Sequence, residues 1–314
     1  METYTKEDIE IVLQIRLFLG NHQQLSQSDV LIFHCPLDLQ FLDIYNKPSI
    51  LYEHRAGRPT TFMFEEIMKR TEDMRRRICE RDRKWINNKL KELYQKADVI
   101  INNSKFTQSI MKKYFNIDTF IVCPSVDLEK FNPKFAKPKE RKYFLSIQRP
   151  DWQKRLLLQI DAFKGLKEKL IIVGGKEKLD EQLENIVKEF DNIKYLGHVS
   201  DRKLINLYAK AKATIQTAYF EDFGIVPIES FACGTPVIVV DEGGFKESVH
   251  NSSLGIRVKK PYLKNLRRTI VNWDCSKYNP KILRKEAEKY SLERFKKEME
   301  YYVKLAIDRH NKRI

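Results

Sequence analysis

Apolar residues fall into two rhythms along this chain. Short consecutive runs alternate with longer segments in which apolar side chains recur every third or fourth position. A run too short for a helix and apolar on successive positions is what a strand covered on both faces looks like. DVLIFHCP (29–36), SILYEHRAG (49–57), DVIINNS (98–104) and TFIVCPSVD (119–127) therefore read as strands. Residues 5–20 read as a helix with Ile9, Val12, Leu13 and Leu17 on one side. Two further helical stretches are Glu65 to Ala97 and SKFTQSIMKKYF (104–115), the second with Ser104 placed as its cap. Gly57-Arg58-Pro59 reads as a turn.

The rhythm breaks at LEKFNPKFAKPKERK (128–142), which is rich in lysine and carries Pro133 and Pro138. A linker is placed at 133–142. The alternation then restarts with strands at 142–150, 169–175, 192–199, 213–219, 235–244 and 254–259. Helices lie at 154–166, 179–190, 200–211 and 226–234, a short one begins at FKESV, and residues 279–310 are helical. SDRKLINLYAKA (200–211) begins with Ser200 as a cap. Strand and helix alternating twice over predict an α/β chain with two Rossmann-like domains and parallel sheets. The boundaries are 1–132 for an N-terminal, acceptor-side domain, 143–278 for a second one, and 279–314 for C-terminal helices. Ligands of open α/β sheets bind beyond the carboxyl ends of the strands. Functional residues are sought in those loops.

Charge and cysteine content narrow the class. The 314 residues carry a formal net charge of +15, which attracts nucleic acid, anionic lipid or phosphate-bearing substrates. Nucleic acid is not expected as a partner: no helix-turn-helix and no sheet face of aromatics interleaved with Lys and Arg is visible. The five cysteines are scattered without a CxxC pair, which argues against zinc and a disulfide framework and for a reducing compartment. The charged N-terminus is no signal peptide, and no apolar run reaches the roughly 18 residues of a spanning helix. A cytoplasmic protein, peripheral on the inner face of a membrane, is the expectation. The charged helix at 69–93 reads as solvated on one face; the alternative is a membrane-facing helix with Trp85 near the headgroups.

The stretch that carries chemistry is YFEDFGIVPIESFACGTPVIVVDEGG (219–244). Glu221 follows a strand, and Glu229 lies in what Pro227 marks as the first turn of a helix. An acidic residue there complements the helix dipole and needs no further role. That reading leaves Glu221 and Gly224 unexplained. N–H groups at a helix start, approached closely at a glycine, bind phosphate, and neighbouring carboxylates accept hydrogen bonds from vicinal hydroxyls. Two carboxylates about one anion-binding turn suit a nucleotide sugar.

EDFGIVPIE resembles the E-x7-E signature of the retaining GT-B glycosyltransferases of family GT4. SFACGTPVIVVDEGGFKESV resembles the family's segment just past that signature. SIQRPDWQKRLLLQIDAF is similar to the family's strand, Arg loop and Lys helix, and ADVIINNSKFTQSIMKKYF to the end of its N-terminal domain. The resemblance covers residues 29 to 301 and is nearest to the mannosyltransferases of surface-polysaccharide assembly. It implies two Rossmann-like domains whose sheets face across a cleft, with the terminal helices crossing back to the first.

It implies transfer of a hexose, mannose foremost, from a GDP- or UDP-sugar, with no prosthetic group and no catalytic metal. By that resemblance Glu229 holds the donor ribose and Glu221 faces the transferred sugar. The backbone of Phe223, Gly224 and Ile225 lines sugar and phosphate. Arg149 and Lys154 neutralise the diphosphate, Gly244 points N–H groups to the ligand, and His34 approaches the sugar from the N-terminal domain. His54, Arg55 and Arg58 would line the pocket of a hydroxyl acceptor bearing phosphate, such as a lipid-linked sugar at an anionic membrane surface. Family members open with a Gly-rich loop, whereas FLGNHQQLS (18–26) has one glycine, so the N-terminal domain is abbreviated. A nucleotide-sugar epimerase, a basic nucleic-acid binder and a non-catalytic scaffold stand as the other readings.

Overall fold

The computed structural model describes residues 27–55, 73–150, 152–175 and 181–313. The helix expected at 5–20, the FLGNHQQLS segment, the turn with Arg58 and the helix start at Glu65 lie outside the described residues. The chain divides into two units, one of Met1–Cys123 with Phe295–Ile314, the other of Pro124–Arg294.

In the first unit the order is β1 (Leu31–Phe33), β2 (Ser49–Glu53), α1 (Asp73–Tyr94), β3 (Val99–Asn102), α2 (Lys105–Ile110) and β4 (Phe120–Ile121). The strands make one parallel sheet in the order β1-β2-β3-β4. Every residue of β2 and β3 is buried, which is why both read as unbroken runs. Successive side chains of a strand point to opposite faces. Leu51 and Ile100 pack with Leu90, Tyr94 and Phe115 on one face. Ile50, Tyr52, Val99 and Ile101 pack on the other, against Ala306, Phe295 and Tyr302 of the chain's last helix. Ser104 caps α2, accepting from the Thr107 N–H, and a π-helical turn comes next until Asn116 ends it with φ 53°. Trp85 packs against the core, so the membrane-facing alternative for that side chain is set aside.

The second unit runs β5 (Tyr143–Ile147), α3 (Leu156–Phe163), β6 (Leu170–Val173), α4 (Glu181–Lys188), β7 (Ile193–Tyr195), α5 (Asp201–Lys210) and β8 (Ala211–Gln216). It continues with α6 (Ile225–Ala232), β9 (Val237–Val240), α7 (Phe245–Ser248), β10 (Gly255–Val258), α8 (Leu263–Val271) and α9 (Pro280–Glu288). The last helix, α10 (Leu292–Asn311), leaves this unit at its first turn. The six strands are all parallel, in the order β10-β9-β8-β5-β6-β7. Chain order reverses at β5, which has β6 on one side and β8 on the other. Such a reversal leaves a crevice beyond the carboxyl ends of the two strands concerned. The loops after β5 and β8 are those that hold Lys154 and Glu221.

Four local readings differ from the structure. Helix α8 is absent from the sequence expectation, although Leu266 and Ile270 are its buried face. Ser200 occupies the cap position of α5 in extended backbone, but its hydroxyl makes no cap bond. Residues 124–142 belong to the second unit rather than dividing between a domain and a linker. The Arg284 guanidinium donates to the carbonyls of Leu128 and Phe131, and the Val126 N–H to that of Tyr290, which holds the segment there. Of the C-terminal helices, α9 stays in the second unit, and only the residues from Phe295 onward join the first.

Candidate active site

The loop after β8 is tied to the loop after β5 at several points. Thr217 accepts from the Gln159 side-chain amide at 2.8 Å and donates its hydroxyl to the Lys154 carbonyl at 2.8 Å. The Tyr219 N–H donates to the Gln153 carbonyl at 2.7 Å. These ties set Lys154 Nζ 2.7 Å from Glu221 Oε2, with the two side chains 25% and 20% exposed. A pair so placed is partly screened from water yet open to a ligand.

Arg155, the residue after Lys154, joins a third loop to these two. Its guanidinium lies 3.3 Å from the centre of the Tyr219 ring, 3.0 Å from the Glu242 carboxylate and 3.3 Å from the Thr217 carbonyl. Its backbone is left-handed, with φ 50°. That conformation costs a non-glycine residue of order 1 kcal/mol and persists where surrounding contacts over-determine it. Arg155 escaped the sequence reading, because nothing beside Lys154 marks a second, structural cation.

The same third loop corrects the role expected of Gly244. Its N–H donates to the Glu221 carbonyl at 2.6 Å, so it braces the Glu221 loop instead of addressing a ligand. A Cβ at Gly244 would stand 2.5 Å from the Asp222 carbonyl oxygen and 2.6 Å from the Phe223 Cα. Only glycine lets the two backbones approach this closely.

Gly224 begins α6 in left-handed backbone, φ 90°, and a Cβ there would strike the Phe245 ring at 2.9 Å. The helix therefore starts at Ile225, two residues ahead of Pro227. Glu229 is its fifth residue and lies beyond the first turn, a correction to its expected place. Pro227 misled because the first turn has no use for its N–H groups, so proline is tolerated anywhere in it. Among the described residues the N–H groups of Phe223, Gly224 and Ile225 donate to no backbone carbonyl. The Phe223 ring is buried and packs 5.6 Å from Tyr290, leaving its backbone as the part that lines the turn.

Glu229 is half-buried, and its Oε2 accepts from the Tyr208 hydroxyl at 2.5 Å. Burial raises its carboxyl above the usual range; the Tyr208 hydrogen bond and the charge of Lys130 pull it back. Tyr208 is a second residue that the sequence reading missed, since a tyrosine on a helix's apolar side reads as core.

Arg149 follows β5 and is exposed. Gly174 and Gly175, after β6, have φ 115° and 77°, and the Gly174 carbonyl accepts from the Tyr195 hydroxyl at 2.6 Å. In the first unit His34 and His54 follow β1 and β2, and the structure brings them together. His34 Nδ1 is 3.1 Å from His54 Nε2, with the rings stacked 5.3 Å apart. Burial, then the charges of His34 and Arg55, hold His54 below the usual histidine value.

No described helix is long and apolar enough to cross a membrane. Residues 127–290, just over half of the chain, match the family model described as Glycosyl transferases group 1. The chain is 30% identical over 190 residues to the human alpha-1,3/1,6-mannosyltransferase ALG2, covering 51% of this chain and 46% of that protein. It is 28% identical over 235 residues to the O-antigen chain mannosyltransferase B of Escherichia coli, covering 67% of this chain and 60% of that one. The chain thus spans about half the length of the human relative it matches. Among solved structures it is similar to the sucrose-phosphate synthase of Thermosynechococcus elongatus, with TM-score 0.73 and 17% identity over 95% of this chain and 78% of that one. It is also similar to Anabaena HepE in complex with UDP and glucose, with TM-score 0.67 and 15% identity over 94% and 81%.

Proposed function

This chain belongs to the glycosyl transferases group 1 family and has the GT-B fold, and from that premise we propose that it moves a hexose from a nucleoside-diphosphate sugar to a hydroxyl acceptor, with retention at the anomeric carbon. The observation that carries the reading is the Lys154–Glu221 pair at 2.7 Å, beside the α6 start and one loop from Glu229. A cation, a carboxylate and undonated N–H groups converge there, and together they match a ligand with phosphate between two sets of hydroxyls.

Glu229 takes the ribose hydroxyls and Glu221 the hydroxyls of the hexose. The turn at Phe223, Gly224 and Ile225 receives the phosphate oxygens. Lys154 has three donors, so one ammonium can hold Glu221 and a phosphate oxygen together. As the anomeric carbon parts from the diphosphate oxygen, negative charge collects on the leaving group, and Lys154 with Arg149 offsets it. The acceptor oxygen bonds the anomeric carbon on the face the diphosphate leaves, and the acceptor proton passes to the departing phosphate oxygen. His34, past the end of β1, is the further candidate for a role in transfer, and His34→Ala in the same assay tests it. Mannose is the first sugar to try, because two named relatives are mannosyltransferases. Both GDP- and UDP-linked donors are tested, because HepE is in complex with UDP. The acceptor carries phosphate and is reached at an anionic membrane surface; binding to anionic but not neutral vesicles, weakened by salt, is the expected result.

Calorimetry with GDP and UDP, followed by transfer assays with the matching sugar donors, tests the reading. Glu221→Ala should bind the bare nucleoside diphosphate as wild type does and lose about 10²-fold or more in transfer, the loss typical of one transition-state contact. Glu229→Gln should weaken both. Transfer should survive EDTA, while activity that collapses with EDTA and returns with magnesium would give charge neutralisation to a metal. A chain that binds neither GDP nor UDP overturns the assignment.

A further inference from the structure

We propose that Tyr208 is a positioning residue for Glu229: its hydroxyl, 2.5 Å from Oε2, holds one carboxylate oxygen inside the unit and leaves Oε1 to accept from a ligand hydroxyl. The proposal rests on the ribose role assigned to Glu229 above.

Tyr208 is completely buried on α5, and its ring is edge-on to Phe131 at 6.0 Å. Its own carbonyl accepts from the Thr235 hydroxyl at 2.7 Å, and the Thr235 N–H donates to the Ser230 carbonyl at 2.8 Å. Ser230 is on α6, so the two helices are joined at the level of Glu229. A tyrosine fixed this way aims its hydroxyl along one direction. Burial raises the phenol far above its ordinary value, with the Glu229 charge acting the same way, so Tyr208 stays protonated and always donates. Among the described residues no group donates to Oε1 of Glu229. A carboxylate accepts at both oxygens, and one is left for a ligand.

The other charges about Glu229 do not supply this direction. Lys130 and Asp201 act on it from a distance and pair with each other at 2.7 Å. Cys233 lies just past the end of α6, and burial pushes its thiol up to about 12, so it stays neutral; Arg284 acts on that thiol.

The test compares Tyr208→Phe with wild type and Glu229→Gln in the full chain. GDP and UDP affinities are measured by calorimetry across pH, with inorganic pyrophosphate as a probe that lacks ribose. The carboxylate must be charged to accept, so wild-type nucleotide affinity falls as pH drops through the Glu229 value. Removing the hydroxyl takes away a contact that lowers that value, so the fall moves to higher pH in Tyr208→Phe. At neutral pH the variant should bind nucleoside diphosphate about ten-fold more weakly, the scale of one hydrogen bond to a charged group. Its pyrophosphate affinity should match wild type, which loss of packing would not spare selectively. Wild-type affinity and pH midpoint in Tyr208→Phe, with Glu229→Gln impaired, overturn the proposal and leave the ribose role standing. Unaltered binding in Glu229→Gln removes the ribose role and the proposal with it. Should Tyr208→Phe fail to fold, 3-fluorotyrosine at 208 makes a stronger donor and must move the midpoint down; an unmoved midpoint overturns the proposal.

Discussion

Asp98 in the first unit and Glu229 in the second are carboxylates drawn into the protein, and they differ in how fully they are used. The Asp98 side chain is 2% exposed. Its oxygens meet the Ser49 N–H at 2.9 Å, the Ser49 hydroxyl at 3.0 Å, Arg313 at 3.0 Å and His310 at 3.3 Å. Those partners come from the start of β2 and the end of α10, so Asp98 fastens the terminal helix to the sheet. Glu229 has the one hydroxyl of Tyr208. A buried carboxylate with three hydrogen-bond donors and a histidine within ion-pair range has its oxygens taken and serves the fold. One with a single donor is costly unless something else arrives. Asp98 is sealed in and fully used, whereas Glu229 is half-buried with one protein partner, and both differences leave only the second open to a ligand.

The widest break between the two should come from Asp98→Ala. It strips Ser49 and His310 of a buried partner, while Arg313, half-exposed, loses less. We expect a loss of roughly 3 kcal/mol in urea unfolding, with GDP or UDP affinity retained. Nucleotide affinity falling in step with stability would show that the two carboxylates do not divide the work.

A smaller effect is expected at Arg155, which braces the loops as Asp98 braces the helix. Arg155→Gly relieves the left-handed backbone, worth about 1 kcal/mol, and removes the guanidinium from Glu242, worth more because the pair is only 12% and 16% exposed. A net destabilisation of about 1–2 kcal/mol should appear in thermal melts. Transfer should fall further than nucleotide binding, since Lys154 and Glu221 lose their support. A more stable variant with full transfer would leave Arg155 without that role.

The smallest effect concerns His34 and His54. His54 is depressed when folded, so the stability it contributes is present above the usual histidine value of 6.5 and is lost as pH falls through the lower folded value. His34→Ala removes the second cause of the depression but not the first, which is burial. NMR titration should find the His54 value raised in the variant and still below 6.5. A value that does not move would mean that the 3.1 Å contact carries no charge coupling.

The central strands were plain in the sequence because they are covered on both faces; VIVV at β9 and LIIV at β6 need no neighbour to be recognised. Helix α8 was missed although Leu263, Leu266 and Ile270 keep a helical interval. Lys264, Arg267 and Arg268 interrupt the apolar interval, and Leu263 itself is exposed. Glu221 was legible as a residue past a strand end, and Glu229 as a helix residue near it. The turn it occupies was not, because Gly224 starts the helix ahead of Pro227. Gly244 was seen, but its work for the Glu221 carbonyl was not, since a glycine in sequence does not say which backbone it will meet.

Hydrophobic rhythm by itself determined that this chain makes parallel α/β units and which loops come after their strands, because burial on one face or both is written in local spacing. Tertiary structure alone decided that Lys154 meets Glu221, Tyr208 meets Glu229, and Asp98 meets the end of α10. Periodicity records which side of an element is covered but not which strand lies beside it. That choice came when β5 took its place between β6 and β8.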